Sequence, residues 1–262
     1  MTAQDQIFRT LDPVRVVETL GRLRMRIRER FEGTGLENVC AELIAIAQET
    51  GTRSLAIARP DTRLRAAVGA IVVSGIALFA ATLIQVAGRA EASNDLFGIL
   101  QGIDAAFNLL LVVGAALLFM VTLEERLKRR RALRALHEIR SIIHVIDMHQ
   151  LTKDPWTEVS ISQPTPSSPK RDMSAVELIH YLDYCSEMLS LASKVAVLYS
   201  QSFPDPVVTE TVNDMERTAA GLAQKIWQKI NIVHRSLEGR LLAGEPLPQG
   251  GSALRSDAPP VL

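Results

Sequence analysis

Apolar positions along the chain form stripes of helical period, then two unbroken runs, then helical stripes again. Val16, Leu20, Leu23, Ile27 and Phe31 recur at i, i+4, i+7 spacing. They follow Asp12-Pro13, which reads as an N-cap with proline at the first helical position, and precede Gly33, which reads as a stop. Arg22, Arg24, Arg26, Arg28 and Arg30 alternate with Leu23, Met25 and Ile27, a period-two pattern that would suit a strand. The helix fits the longer window and has both caps, so it is preferred. Thr34 to Glu37 has the pattern of a capping box. Val39, Cys40, Leu43, Ile46 and Ala47 then predict a second helix ended by Gly51. These two helices are expected to form an antiparallel hairpin that needs a partner.

The unbroken runs follow. Residues 66–88 carry no charge and only Ser74, Thr82 and Gln85 as polar side chains; residues 105–123 carry none and only Asn108 and Thr122. Each is close to the ~20 residues that cross a hydrocarbon core, and two in tandem predict a transmembrane helical hairpin over 66–123. Ala66, Ala70, Ser74, Ala77 and Ala81 share one face of the first span, a small-residue seam that lets helices approach closely. Its partner is either the second span, around Gly114 and Ala115, or another copy. No ionisable residue lies mid-span, which argues against a proton relay or charged transport site.

From Leu123 to Leu151 there is no Gly or Pro, so one helix is expected to leave the bilayer and continue for about 40 Å. Leu136, Ile139, Ile143 and Ile146 form its seam, widened by Ile142, Val145, Met148 and Leu151; this segment, 124–154, is expected to be the central helix of a cytoplasmic bundle. Pro155, Pro164, Pro166 and Pro169 with four serines make 155–173 a linker. Ser174 to Glu177 is a second capping box, opening a helix with the stripe Leu178, Leu182, Cys185, Leu189, Ala192, Ala196 and Tyr199. Asp205-Pro206 opens the last helix, whose seam is Val208, Val212, Met215, Ala219, Leu222, Ile226, Ile230, Val233 and Leu237, with Trp227 beside it. Residues 174–239 thus form a second hairpin, and the Gly/Pro/Ser tail 240–262 is expected to be disordered. The predicted fold class is all-α: a two-span transmembrane hairpin, a cytoplasmic helical bundle with coiled-coil-like seams, and an N-terminal helical hairpin at 1–65.

Charge then orients the hairpin. Arg53, Arg59, Arg63 and Arg65 precede the first span, and Arg126, Lys128, Arg129, Arg130, Arg131 and Arg134 follow the second. The turn has Arg89 against Glu91, Asp95 and Asp104. Excess cations stay inside, so both termini are expected in the cytoplasm and the protein in the plasma (inner) membrane. Residues 1–15 lack the apolar core of a signal peptide, so the first span is expected to direct insertion. The net charge of +0 gives no bulk preference for nucleic acid, and none is expected as a partner. The arginine-rich face of the first helix is read as solvated and partly neutralised by Glu18 and Glu29, with anionic lipid the stronger of its alternatives. Cys40 and Cys185 match no metal or redox spacing and read as buried apolar residues.

Three of the five histidines fall within residues 137–149. His137, His144, Asp147 and His149 are the candidate metal or small-ligand residues, since imidazole and carboxylate at helical spacing suit either a metal or acid–base work. Arg140, Lys153, Asp154, His180 and Asp183 are the supporting polar cluster. The preferred expectation is a polar cluster satisfied within the bundle, with Asp147 pairing Arg140 or His144. His137-Glu138 does not continue into a zinc-protease pattern, and no P-loop, dinucleotide fingerprint, nucleophile elbow or kinase set is present. No cofactor is specified. The expected function is a non-enzymatic, membrane-anchored helical interaction or signalling module that binds the bilayer and a helical partner or a second copy of itself. A ligand-dependent sensor or enzyme at the histidine stretch is the first alternative, and a pore of associated hairpins the second.

Overall fold

A computed structural model of the chain describes residues 10–90, 96–153, 155 and 173–243. Asp154, most of the Pro/Ser linker and nearly all of the tail lie outside the described residues. The described residues form six helices and no strand: α1 (Pro13–Arg30), α2 (Gly35–Ala58), α3 (Thr62–Ala90), α4 (Leu96–Leu151), α5 (Ala175–Ser202) and α6 (Pro206–Leu242). They divide into two compact units, residues 59–131 and the remainder.

Local chemistry explains most boundaries. The Asp12 carboxylate accepts the Val14 amide at 2.9 Å ahead of Pro13. Gly33 lies in the left-handed region at φ 71°, where a side chain would be strained, and turns the chain from α1 into α2. At α5 the Ser174 box is complete: its hydroxyl accepts the Glu177 amide, and the Glu177 carboxylate accepts the Ser174 amide at 2.7 Å. The buried Asp205 carboxylate accepts the amides of Val207 and Val208 at the start of α6.

Three boundaries differ from expectation. Gly51 does not end α2, which runs on to Ala58; the glycine is half-buried beside Pro13, and continuing the helix buries Ser54 and Ile57. The ~1 kcal/mol cost of an interior glycine is smaller than that gain. Thr34 does not complete a capping box, because its hydroxyl donates to the Phe31 carbonyl at 2.8 Å while Glu37 alone reaches back to the Gly33 amide. The helix predicted to span from 105 begins at Leu96, so the acidic Asp104 lies within it rather than in a turn.

In the larger unit α5, not α4, is the central helix. Beyond its predicted stripe it also buries Tyr181, Tyr184, Met188, Leu191, Val195 and Leu198, so it is apolar nearly all round. Distal α4 buries one face (Ala132, Ala135, Leu136, Ile139, Ile142, Ile143, Ile146) and leaves Met148 and Leu151 exposed. The reason is composition: one stripe buries one face, whereas a helix apolar on every face must be surrounded. The N-terminal hairpin does dock. Phe31 is fully buried, edge-on to Tyr181 and Tyr184 with centroids 5.5 and 6.1 Å away. Arg26 grips the Glu187 carboxylate with both terminal guanidinium nitrogens, and Tyr199 donates to the Thr50 hydroxyl at 3.4 Å. The α6 seam is spent on this core, with Ile226, Ile230 and Val233 buried and Trp227 left 56% exposed.

The smaller unit contains α3 and the proximal part of α4. Its apolar side chains face outward: Ile71, Val73, Leu78, Leu110, Leu118 and Phe119 are all exposed. Among the described residues one helix, Leu100–Leu151, is long and apolar enough to cross a membrane, and none of its apolar window is buried. The apolar stretch assignable in α3 is shorter, Arg65–Ala81. Along α3 the partly covered positions are Val68, Val72, Gly75 and Phe79, while Ala66, Ala70, Ser74, Ala77 and Ala81 are exposed. At the charged end of the hairpin, Glu124 accepts from Arg65 at 3.1 Å and Lys128 at 2.9 Å, and also from the Asp61 amide at 3.4 Å.

Candidate functional site

The residues of the histidine stretch separate according to which face of α4 carries them. His137 is exposed, and its backbone carbonyl accepts the Ser141 hydroxyl. Glu138 beside it pairs with Arg53 of α2 at 2.8 Å. Asp147 pairs with neither Arg140 nor His144; its carboxylate accepts from the Gln150 side-chain Nε2 at 2.6 Å, a contact one turn further along the helix. The expected ion pair yields because Gln150 is itself held in place by α6.

That hold comes from Lys229. Its ammonium donates to the Gln150 carbonyl at 2.8 Å, the Gln150 side-chain oxygen at 2.7 Å and the Lys153 carbonyl at 3.3 Å. A cation at the unsatisfied carbonyls of a helix C-terminus completes their hydrogen bonding and opposes the helix dipole. Lys153 itself lies over the Tyr181 ring, 5.2 Å from its centroid.

His149 sits at the junction of three helices. Its Nδ1 is 3.3 Å from the Tyr181 hydroxyl, and its ring lies so close over Gly35 that an added Cβ there would stand 2.6 Å from Cε1. Glycine at 35 is what admits the imidazole. Burial, and then the charge of Lys153, lower the His149 pKa, so the neutral ring is favoured. On α5, His180 stacks on Tyr184 with centroids 6.3 Å apart. Asp183 is half-buried, and burial followed by the neighbouring Glu187 charge raises its carboxyl pKa.

Arg140 and His144 face α6. With Ile143, Asp214, Met215, Arg217 and Thr218 they line a groove of about 400 Å³. Arg217 pairs with Asp214 and, at 3.4 Å, with Glu210. The groove has an apolar floor at Ile143 and Met215, and its walls carry Arg140, His144, Thr218 and the Arg217–Asp214 ion pair.

Among the described residues, no three His, Cys, Asp or Glu side chains converge as metal ligands. His144 and His149, assigned to one stretch by sequence, serve different neighbours. Burial pushes the Cys40 thiol up to about 11 and the Cys185 thiol up to about 12, so neither is a nucleophile at neutral pH. No family model, curated protein or solved structure matches the chain. Its chemistry stands on its own geometry.

Lys229, Gln150, Tyr181 and Gly35 were absent from the sequence-derived candidates. Three of them come from other helices, and no local spacing ties them to α4. A signal for Lys229 exists only in hindsight of topology, as a cation flanking the α6 seam one residue before Ile230.

Proposed function

We propose that the chain is a membrane-anchored helical interaction or signalling module without enzymatic activity. In this reading residues 66–88 and 105–123 cross the bilayer, both termini lie in the cytoplasm of an inner (plasma) membrane, and the larger helical unit is the cytoplasmic platform. The observation that carries it is the contrast between two surfaces of one helix. Proximal α4 offers an uncharged apolar window with none of it buried, and distal α4 has a buried apolar stripe. An exposed apolar surface of that extent needs lipid or protein around it. The flanking cations give the orientation.

Self-association is assigned to the exposed small-residue face of α3, which is supported by its separation from the partly covered positions of the same helix. The α6 seam is not proposed as a partner surface, since α5 already occupies it.

The test combines alkaline carbonate extraction of membranes with labelling of Ser93→Cys by a membrane-impermeant maleimide on intact cells. Retention in the membrane and labelling from outside support the reading; release by carbonate, or labelling only after permeabilisation, overturns it. The native thiols give little background because both are buried.

A second reading is favoured by the groove at Arg140 and His144: a small anionic ligand bound between α4 and α6 would make the platform a sensor. A rise in melting temperature with a small organic phosphate, lost in His144→Ala/Arg140→Ala, supports it. No shift with a panel of such anions counts against it.

A further inference from the structure

The charged end of the α3–α4 hairpin holds more cation than its own carboxylates neutralise. Residues 124–131 carry Arg126, Lys128, Arg129, Arg130 and Arg131 against Glu124 and Glu125. Across from them, Asp61 stands with Arg59 and Arg65. The ion pairs show which charges are committed. Glu124, only 8% exposed, is shared by Arg65 and Lys128, and Arg131 lies 3.9 Å from Asp61. Glu125 is exposed and stands one turn before Arg129, at the spacing of a helical ion pair.

Arg126 and Arg130 are left over. Both are exposed, and neither has an ion pair or hydrogen bond among the described residues. They are four residues apart, so they share a face with about 6 Å of axial rise between them. They begin three residues after the apolar window of the second span ends at Leu123. Guanidinium groups at that depth meet the phosphate level of a bilayer, and their planar fork matches a phosphodiester better than a lysine does.

We propose that Arg126 and Arg130 form a binding surface for anionic phospholipid headgroups, retaining such lipids in preference to zwitterionic ones. The proposal rests on the two-span reading above. Arg65, by contrast, bridges α3 to α4 through Glu124, and Lys128 pairs with the same carboxylate one turn along α4, so neither is a lipid contact. A basic residue near a bilayer surface favours anionic lipid by about fivefold each. Two should act together to give a preference on the order of tenfold or more at low salt, falling as salt screens the charges.

The experiment uses the full chain reconstituted into vesicles of phosphatidylcholine alone or mixed with phosphatidylglycerol. Flotation tests insertion, and native mass spectrometry then counts the lipids that remain bound. Arg126→Gln/Arg130→Gln is expected to float with both vesicle types yet lose most of the preference. Arg126→Lys/Arg130→Lys should keep much of it, and Arg235→Gln, an exposed cation on α6, should keep all of it. Equal preference in the wild type and the double glutamine variant, both inserted, overturns the lipid surface alone. A wild-type chain that floats with neither vesicle removes the two-span reading and the surface with it.

Discussion

Phe31→Ala should uncouple the N-terminal hairpin from α5, and Cys40 provides the means to observe it. Phe31 is fully buried and touches Tyr181 and Tyr184 edge-on, so truncation removes a large apolar side chain, two ring contacts and leaves a cavity. Such substitutions cost about 3–5 kcal/mol. Cys40 lies under α1, its sulfur 3.9 Å from the Leu20 carbonyl, and its thiol is raised to about 11, so it reacts only when the hairpin opens. If opening is the step made easier, native-state labelling of Cys40 should accelerate on the order of 10²- to 10³-fold or more. Cys185, fully buried in α5, is the internal comparison. The assay is maleimide labelling at mildly alkaline pH followed by peptide mass spectrometry, with both thiols read in one sample. A hairpin that opens by itself accelerates Cys40 far more than Cys185; equal acceleration means that the unit opens as one. Cys40 labelling within about threefold of wild type would refute the reasoning, because a loss of that energy in a packed hairpin cannot leave opening unchanged.

His149 should make stability fall in acid. Its folded pKa lies below the ordinary 6.5, so the unfolded chain takes up the proton more readily; its contribution is complete above pH 6.5 and is lost as pH falls through the folded value. Melting curves of wild type and His149→Gln across that range should converge toward acid, and parallel curves would deny the effect. Asp183 acts with the opposite sign, its raised pKa making its contribution complete below 3.8 and lost as pH rises, so the effect of His149 is read from the difference between the two proteins. Asp205→Ala should cost about 1–2 kcal/mol, since two α6 amides lose their acceptor, and Asp205→Asn should cost less; chemical denaturation measures both. Lys229→Met should fray the end of α4, raising hydrogen exchange at residues 147–153 by at least tenfold without reaching α1, and unchanged exchange there would remove the C-terminal role given to this lysine.

Much of the candidate chemistry was legible only in part. His144 and Arg140 stand four residues apart on α4, and the groove contains both. Sequence spacing could not show that Asp214 and Arg217 would supply the opposite wall, about 70 residues later in the chain, because that depends on how α6 lies against α4. The same limit explains His149, whose environment is set by Tyr181 and by a glycine that leaves room for its ring.

Helical class, by contrast, follows from sequence because it rests on local terms. The caps at Asp12, Ser174 and Asp205, the 3.6-residue stripes and the absence of Gly or Pro from Leu123 to Leu151 act within a turn or two of themselves. The uncharged runs are equally local. The apolar residues on the remaining faces of α5 also mark it as the central helix, although its stripe and that of distal α4 look alike. Tertiary structure alone decided that Gly51 stays helical, that the α6 seam is consumed inside the unit, and that Asp147 turns to Gln150. Each of these outcomes depends on burial against a segment distant in sequence, and burial is a property of the assembled core.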